Sequence, residues 1–118
     1  MTKPRLPDYL EHIRETILET LEFVRDMEKS AFMAAPQTKK AVFANLIIIG
    51  EATTKIMNGY ANFVAAHPDI PWLAMRETRN RLVHAYFGVR YDLVWDTIQK
   101  DLPALLKRLP PTAGVNDL

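Results

Sequence analysis

Residues 79–86 read Arg-Asn-Arg-Leu-Val-His-Ala-Tyr and place a guanidinium, an amide, an imidazole and a phenol within eight positions. A histidine exchanges a proton near neutral pH. An arginine grips phosphate through paired N–H donors and stabilises charge that grows in a transition state. An asparagine orients a neighbour or a ligand hydroxyl. Together Arg79, Asn80 and His84 suit phosphodiester cleavage without a metal, the substrate's own 2′-OH serving as nucleophile in RNA. The surrounding pattern is helical. At about 100° per residue, Trp72, Met75, Leu82, Val83 and Tyr86 fall within about 60° of Arg79, so this arginine sits in an apolar stripe. A charge there needs an anionic partner or an anionic substrate. Asn80 and His84 share a face, and Arg79 and His84 stand about 140° apart, flanking Asn80. Each residue alone also has an ordinary structural reading. Arg79 could pair with Glu51, and the sequence leaves open whether Glu51 orients Arg79 or faces a cleft.

Composition narrows the alternatives. The chain has 118 residues, 48% hydrophobic and 25% charged, which predicts one globular domain. It contains no cysteine, which excludes disulfides and thiolate chemistry and fits a reducing, cytoplasmic setting. Ser30 is its only serine and lies far from His84, against a Ser-His-Asp site. Its four glycines form no phosphate loop, and His12, His67 and His84 lack metal-site spacing, so neither a cofactor nor a metal is expected. Residues 1–8 do not read as a signal peptide, and the apolar run at 46–49 is too short for a membrane span. Net charge is +1, yet residues 76–90 hold Arg76, Arg79, Arg81 and Arg90 against Glu77 alone. This local basic patch fits a phosphate-bearing ligand, with Arg76 and Arg81 as candidate RNA contacts.

The elements that position these groups read as four main helices and no strand. The first has Asp8 as N-cap and Glu11 at N3, and ends near residues 29–32. The second starts at Thr38, carries an apolar middle expected to be surrounded on all sides, and ends at Asn58-Gly59. The third spans 72–86, with Gly88 beyond it a candidate for positive φ. The fourth spans 91–100, with Leu93, Val94, Trp95 and Ile98 turned inward. A short last helix reaches Leu109. The domain is expected to cover 1–109, followed by a flexible tail at 110–118. One chain offers a single acid/base histidine in the cluster, whereas strand cleavage wants both an acid and a base. A symmetric dimer would supply two.

These residues carry a family resemblance. The Arg-x4-His-x-Tyr pattern of 79–86 resembles the signature of the HepT-like toxins of the HEPN ribonuclease superfamily. Asp8-Tyr9-Leu10, Ile49-Gly50-Glu51-Ala52, Pro71-Trp72 and the stretch from Val94-Trp95 to Leu102-Pro103 are similar to the family as well. The resemblance implies an all-α, up-and-down four-helix bundle with a short C-terminal helix. It implies a homodimer or higher oligomer whose paired motifs cut RNA without metal. Arg79 and His84 would be catalytic, Asn80 and Glu51 supporting. Tyr86 would accept AMP from an MntA-like nucleotidyltransferase antitoxin that silences the toxin. The alternative is a non-catalytic nucleotide- or RNA-binding partner of a small nucleotidyltransferase.

Overall fold

A computed structural model of the chain describes residues 3–113 and 115, and these are all helix, turn or irregular. The first helix, α1 (Leu6–Phe23), buries Leu6, Leu10, Ile13 and Ile17 on one stripe, at the 3.6-residue period of its apolar positions. It begins earlier than the sequence reading placed it. Arg5 is the N-cap, and its N–H donates to the Asp8 carboxylate at 2.9 Å. Asp8 therefore acts from the third helical position, reaching back to the cap. The helix also stops sooner, at Phe23, because Asp26 takes a left-handed conformation with φ 64°. A separate short helix, α2 (Lys29–Met33), follows. Its Phe32 is fully buried and tilts against Trp95 at 5.3 Å between ring centroids.

The longest element, α3 (Pro36–Gly59), starts with a proline in its first turn rather than at Thr38. It buries Val42, Leu46, Ile49 and Ile56 and packs against both α1 and α5. Between α1 and α3, Asn45 donates to Glu19 at 3.0 Å and to the Thr20 hydroxyl at 3.1 Å, so the buried polar groups of this seam are partnered. The middle of α3 is not surrounded, however: Ile48 remains 37% exposed and Glu51 is half-exposed.

Helix α4 (Ala61–Ala66) and the residues after it lead into α5 (Trp72–His84). The buried Trp72 donates its indole N–H to the His67 carbonyl at 3.0 Å, anchoring the start of α5. Helix α5 ends at His84, one half-turn short of the expected Tyr86, and Ala85 closes it by donating to the Arg81 carbonyl. Gly88 does not adopt a positive φ.

Residues 91–108 form one continuous rod instead of two helices: α6 (Tyr91–Asp96), a π turn (Thr97–Asp101) and α7 (Leu102–Arg108). The Leu102 N–H reaches the Thr97 carbonyl, five residues back. Pro103 has no N–H to continue a regular ladder, which accounts for the local widening. Val94, Ile98, Leu102 and Leu105 face the core. Leu93 does not: it is 54% exposed, because the buried stripe runs through its neighbour Val94. After α7, Arg14 donates to the Pro110 carbonyl at 2.6 Å and Thr112 donates to Glu11 at 3.1 Å. Within the expected tail, residues 114 and 116–118 lie outside the described residues.

Candidate active site

Arg79 owes its position to Gly50. A Cβ added at Gly50 would overlap the Cβ of Arg79 and come within 2.8 Å of its Cγ and 3.3 Å of the Met75 carbonyl. Helices α3 and α5 thus cross at a point that admits only a hydrogen on the α3 side. The aliphatic stem of Arg79 lies across Gly50, and its head meets the next residue of α3. Arg79 Nη2 forms an ion pair with Glu51 Oε1. Glu51 thus stands as the anionic partner of Arg79, with its side chain still half-exposed.

The rest of the cluster hangs on Asn80. Arg79 Nη1 donates to Asn80 Oδ1 at 3.1 Å. His84 Nδ1 lies 2.7 Å from the Asn80 main-chain carbonyl, one helical turn back. A carbonyl only accepts, so Nδ1 carries the proton in this bond. In the neutral ring Nε2 is then left with a free lone pair. One residue therefore orients both neighbours, its side chain steadying the guanidinium and its main chain setting the imidazole tautomer.

The guanidinium is held but not exhausted. Of an arginine's five N–H donors, two have partners here, and Nε is buried without one. Arg79 keeps 30% of its side-chain surface exposed, enough for an anion to reach the outer edge. His84 is exposed, and Tyr86, beyond the end of α5, is 73% exposed. The helical wheel that put Tyr86 beside Arg79 stops applying once α5 ends at His84, so the phenol belongs to the turn rather than to the apolar stripe. Val83 also leaves that stripe, at 36% exposed, while Trp72 and Leu82 stay buried in it.

The two other arginines part company. Arg76 is half-buried and Arg81 exposed, about 140° from each other around α5. Only Arg81 borders, with His84, the groove between α5 and α6. Farther along that rim Arg90 donates to Asp92 from Nε at 3.0 Å and from Nη2 at 2.7 Å. Arg90's hydrogen bonding is the main reason the Asp92 carboxyl is lowered to about 2. Among the described residues no three His, Cys, Asp or Glu side chains gather as metal ligands would.

Residues 9–110 match the model of the family described as ribonuclease HepT-like. The chain belongs to that family. The matched span runs from α1 to the end of α7 and includes every residue of the cluster. The all-helical fold agrees with the expected HEPN-like class. Among curated relatives, a protein of Thermococcus cleftensis named probable ribonuclease HepT is 43% identical over 98 residues, covering 83% of this chain and 86% of its own. A protein of Caldanaerobacter subterraneus named as an RNase is 36% identical over 109 residues, covering 92% and 93% of the two chains. A similarly named protein of Methanocaldococcus jannaschii is 32% identical over 109 residues, covering 92% and 88%. No solved structure matches the chain. Among the described residues, no helix is long and apolar enough to cross a membrane.

Two features are not evident from the sequence. A glycine inside a helix points to a close approach, but nothing around Gly50 names Arg79 as the neighbour, since 29 positions separate them. Phe87, beside Tyr86, is 97% exposed. Its signal is a large aromatic next to a glycine in a segment with no helical continuation.

Proposed function

We propose that the protein is the toxin of a toxin–antitoxin pair, an endoribonuclease that cuts RNA without metal at a site built by two protomers. The observation that carries this reading is the Asn80-centred arrangement. An arginine with unused donors and an exposed histidine with a free Nε2 are both hydrogen-bonded to the same residue.

The chemistry runs as an internal transfer. His84 Nε2 takes the proton of the RNA 2′-OH as its oxygen bonds to phosphorus. The bond from phosphorus to the 5′-oxygen breaks, and that oxygen takes a proton from the second protomer's imidazolium. Arg79 stabilises the charge on the phosphoryl oxygens. The products are a 2′,3′-cyclic phosphate and a 5′-hydroxyl.

Two exposed apolar side chains support pairing. Ile48 lies one turn before Glu51 on α3, and Val83 one turn after Arg79 on α5, so they flank the ion pair. A second copy seated there would cover both and bring two His84 side chains to one cleft. Silencing follows from the exposure of Tyr86. An MntA-like nucleotidyltransferase would transfer AMP from ATP to its hydroxyl, releasing pyrophosphate. The added phosphate and base would compete with RNA for Arg79 and obstruct the cleft.

The test is to incubate purified protein with single-stranded RNA in excess chelator and analyse the product ends. Cleavage leaving 2′,3′-cyclic phosphates is expected. Binding without cutting would instead fit the non-catalytic alternative. For the switch, intact-mass spectrometry after incubation with ATP and the antitoxin should show an AMP adduct on the native chain. An adduct on Tyr86→Phe would remove Tyr86 as the acceptor.

A further inference from the structure

The groove between the second half of α5 and the α6 end of the rod has a cavity volume of about 450 Å³, within the size range of ligand sites. It lies on the flank of α5 that turns away from Glu51, and His84 stands on the ridge between the two. Its floor is apolar, formed by Leu46, Leu82, Val89 and Val94. Its rim carries Arg81, Arg90 and His84, and no carboxylate lines it. Arg81 makes no ion pair among the described residues, whereas Arg90 is occupied by Asp92. Two hydroxyls complete the wall. Thr78 donates to the Ala74 carbonyl at 2.9 Å and Thr97 to the Leu93 carbonyl at 3.3 Å. With their protons committed, both present lone pairs to the groove. Thr97 opens the π turn of the rod, a distortion that recurs at functional sites.

An apolar groove of this size with acceptor groups on its wall and one unpaired cation at its rim suits a nucleotide: the base would enter, its N–H groups would meet the threonine oxygens, and its phosphate would meet the guanidinium. Because His84 borders both the slot and the cleavage cluster, a base held there belongs to the nucleotide next to the bond that is cut. We infer that this groove is a base-binding subsite of the enzyme, with Arg81 holding the adjoining phosphate. The inference rests on the ribonuclease reading above, and it assigns the sequence preference of cleavage to α5 and α6.

Cleavage profiles and crosslinking separate the two claims. The full chain, Arg81→Ala and Leu93→Trp would be compared on a pool of short single-stranded RNAs, with circular dichroism confirming the fold. Leu93→Trp places an indole at the exposed mouth of the slot, and Arg81→Ala changes only a surface side chain. Both variants should raise KM by about tenfold, the worth of one base contact, and flatten the base preference beside the cut. In parallel, RNA carrying 4-thiouridine would be photocrosslinked to full-length His84→Ala, and the crosslinks should fall on residues 89–97. Native cleavage with KM and base preference unchanged in both variants would overturn the subsite and leave the ribonuclease reading standing. Crosslinks at 89–97 with no cleavage by the native chain would do the reverse. If Leu93→Trp instead converts a dimer to a monomer in sedimentation, a second copy covers the groove and the subsite is wrong.

Discussion

The two ends of the 79–86 segment sit in opposite mechanical settings. At its start, Arg79 is pressed onto Gly50, paired with Glu51 and partly buried. At its end, His84 and Tyr86 stand in the open, with helix on only one side of the phenol. In the proposed reaction the group that would meet developing charge is fixed in advance, which is how electrostatic stabilisation gains its strength. The groups that would exchange a proton or accept a modifying group are left accessible. Asn80 ties the two settings together, so the fixed end registers the open one.

Removing the close approach should break this contrast most severely. In an ordinary helix, Gly→Ala stabilises by roughly 1 kcal/mol. At Gly50 the overlap with Arg79 Cβ involves a stem that cannot swing away, and overpacking of this kind costs about 1–3 kcal/mol or more. Gly50→Ala should therefore lower Tm by several degrees and displace Arg79 enough to cut RNA cleavage by about 100-fold. A raised Tm, read by thermal circular dichroism, would show that α3 and α5 do not depend on this glycine.

Loosening the fixed end without moving the helices is a milder change. Both partners of the Arg79–Glu51 pair are partly exposed, so it contributes little stability, on the order of 1 kcal/mol or less. Glu51→Ala should leave Tm nearly unchanged but lower kcat by about tenfold through a less ordered Arg79, with Glu51→Asp recovering part of the loss. A change in KM alone would mean that Glu51 touches RNA rather than positioning the arginine.

The smallest effect lies at the open rim. Asp92's carboxyl is held at about 2 by Arg90, below its value in an unfolded chain. The pair's contribution is thus present above the ordinary carboxylate range and lost as pH falls through about 2. Arg90→Ala should raise the Asp92 titration midpoint toward about 3.9, seen by NMR, with negligible change in stability at neutral pH. A midpoint that stays low would place its cause in the helix rather than in Arg90.

The same contrast explains what was legible in the sequence. The cluster and the family could be read because the spacing of Arg79, Asn80, His84 and Tyr86 is local, and local spacing survives in a linear chain. The apolar stripe of α1 was equally plain. The errors came where a tertiary or capping choice decides between near-equal local options. Asp8 is as good a cap as it is a third-position acceptor, and the choice shifted α1 by most of a turn. Asp26 turned the chain left-handed where the periodic pattern ran on. Leu93 and Val94 are both apolar neighbours, and only the packing of the rod decides which is buried. Arg79 shows the limit most clearly. Its place among apolar residues signals a required partner and Glu51 is a candidate for it, but whether the two meet depends on where α3 crosses α5.

The most direct test of the account is the rate of RNA cleavage in chelator by Arg79→Ala and His84→Ala, each with its helical circular dichroism recorded. Both should retain the native spectrum and lose at least about 100-fold in rate, the loss expected for an electrostatic stabiliser and for a proton-transfer group. Native-like cleavage by either variant, or a collapse of helicity in Arg79→Ala, would make the cluster a structural feature of α5 and not the seat of the reaction.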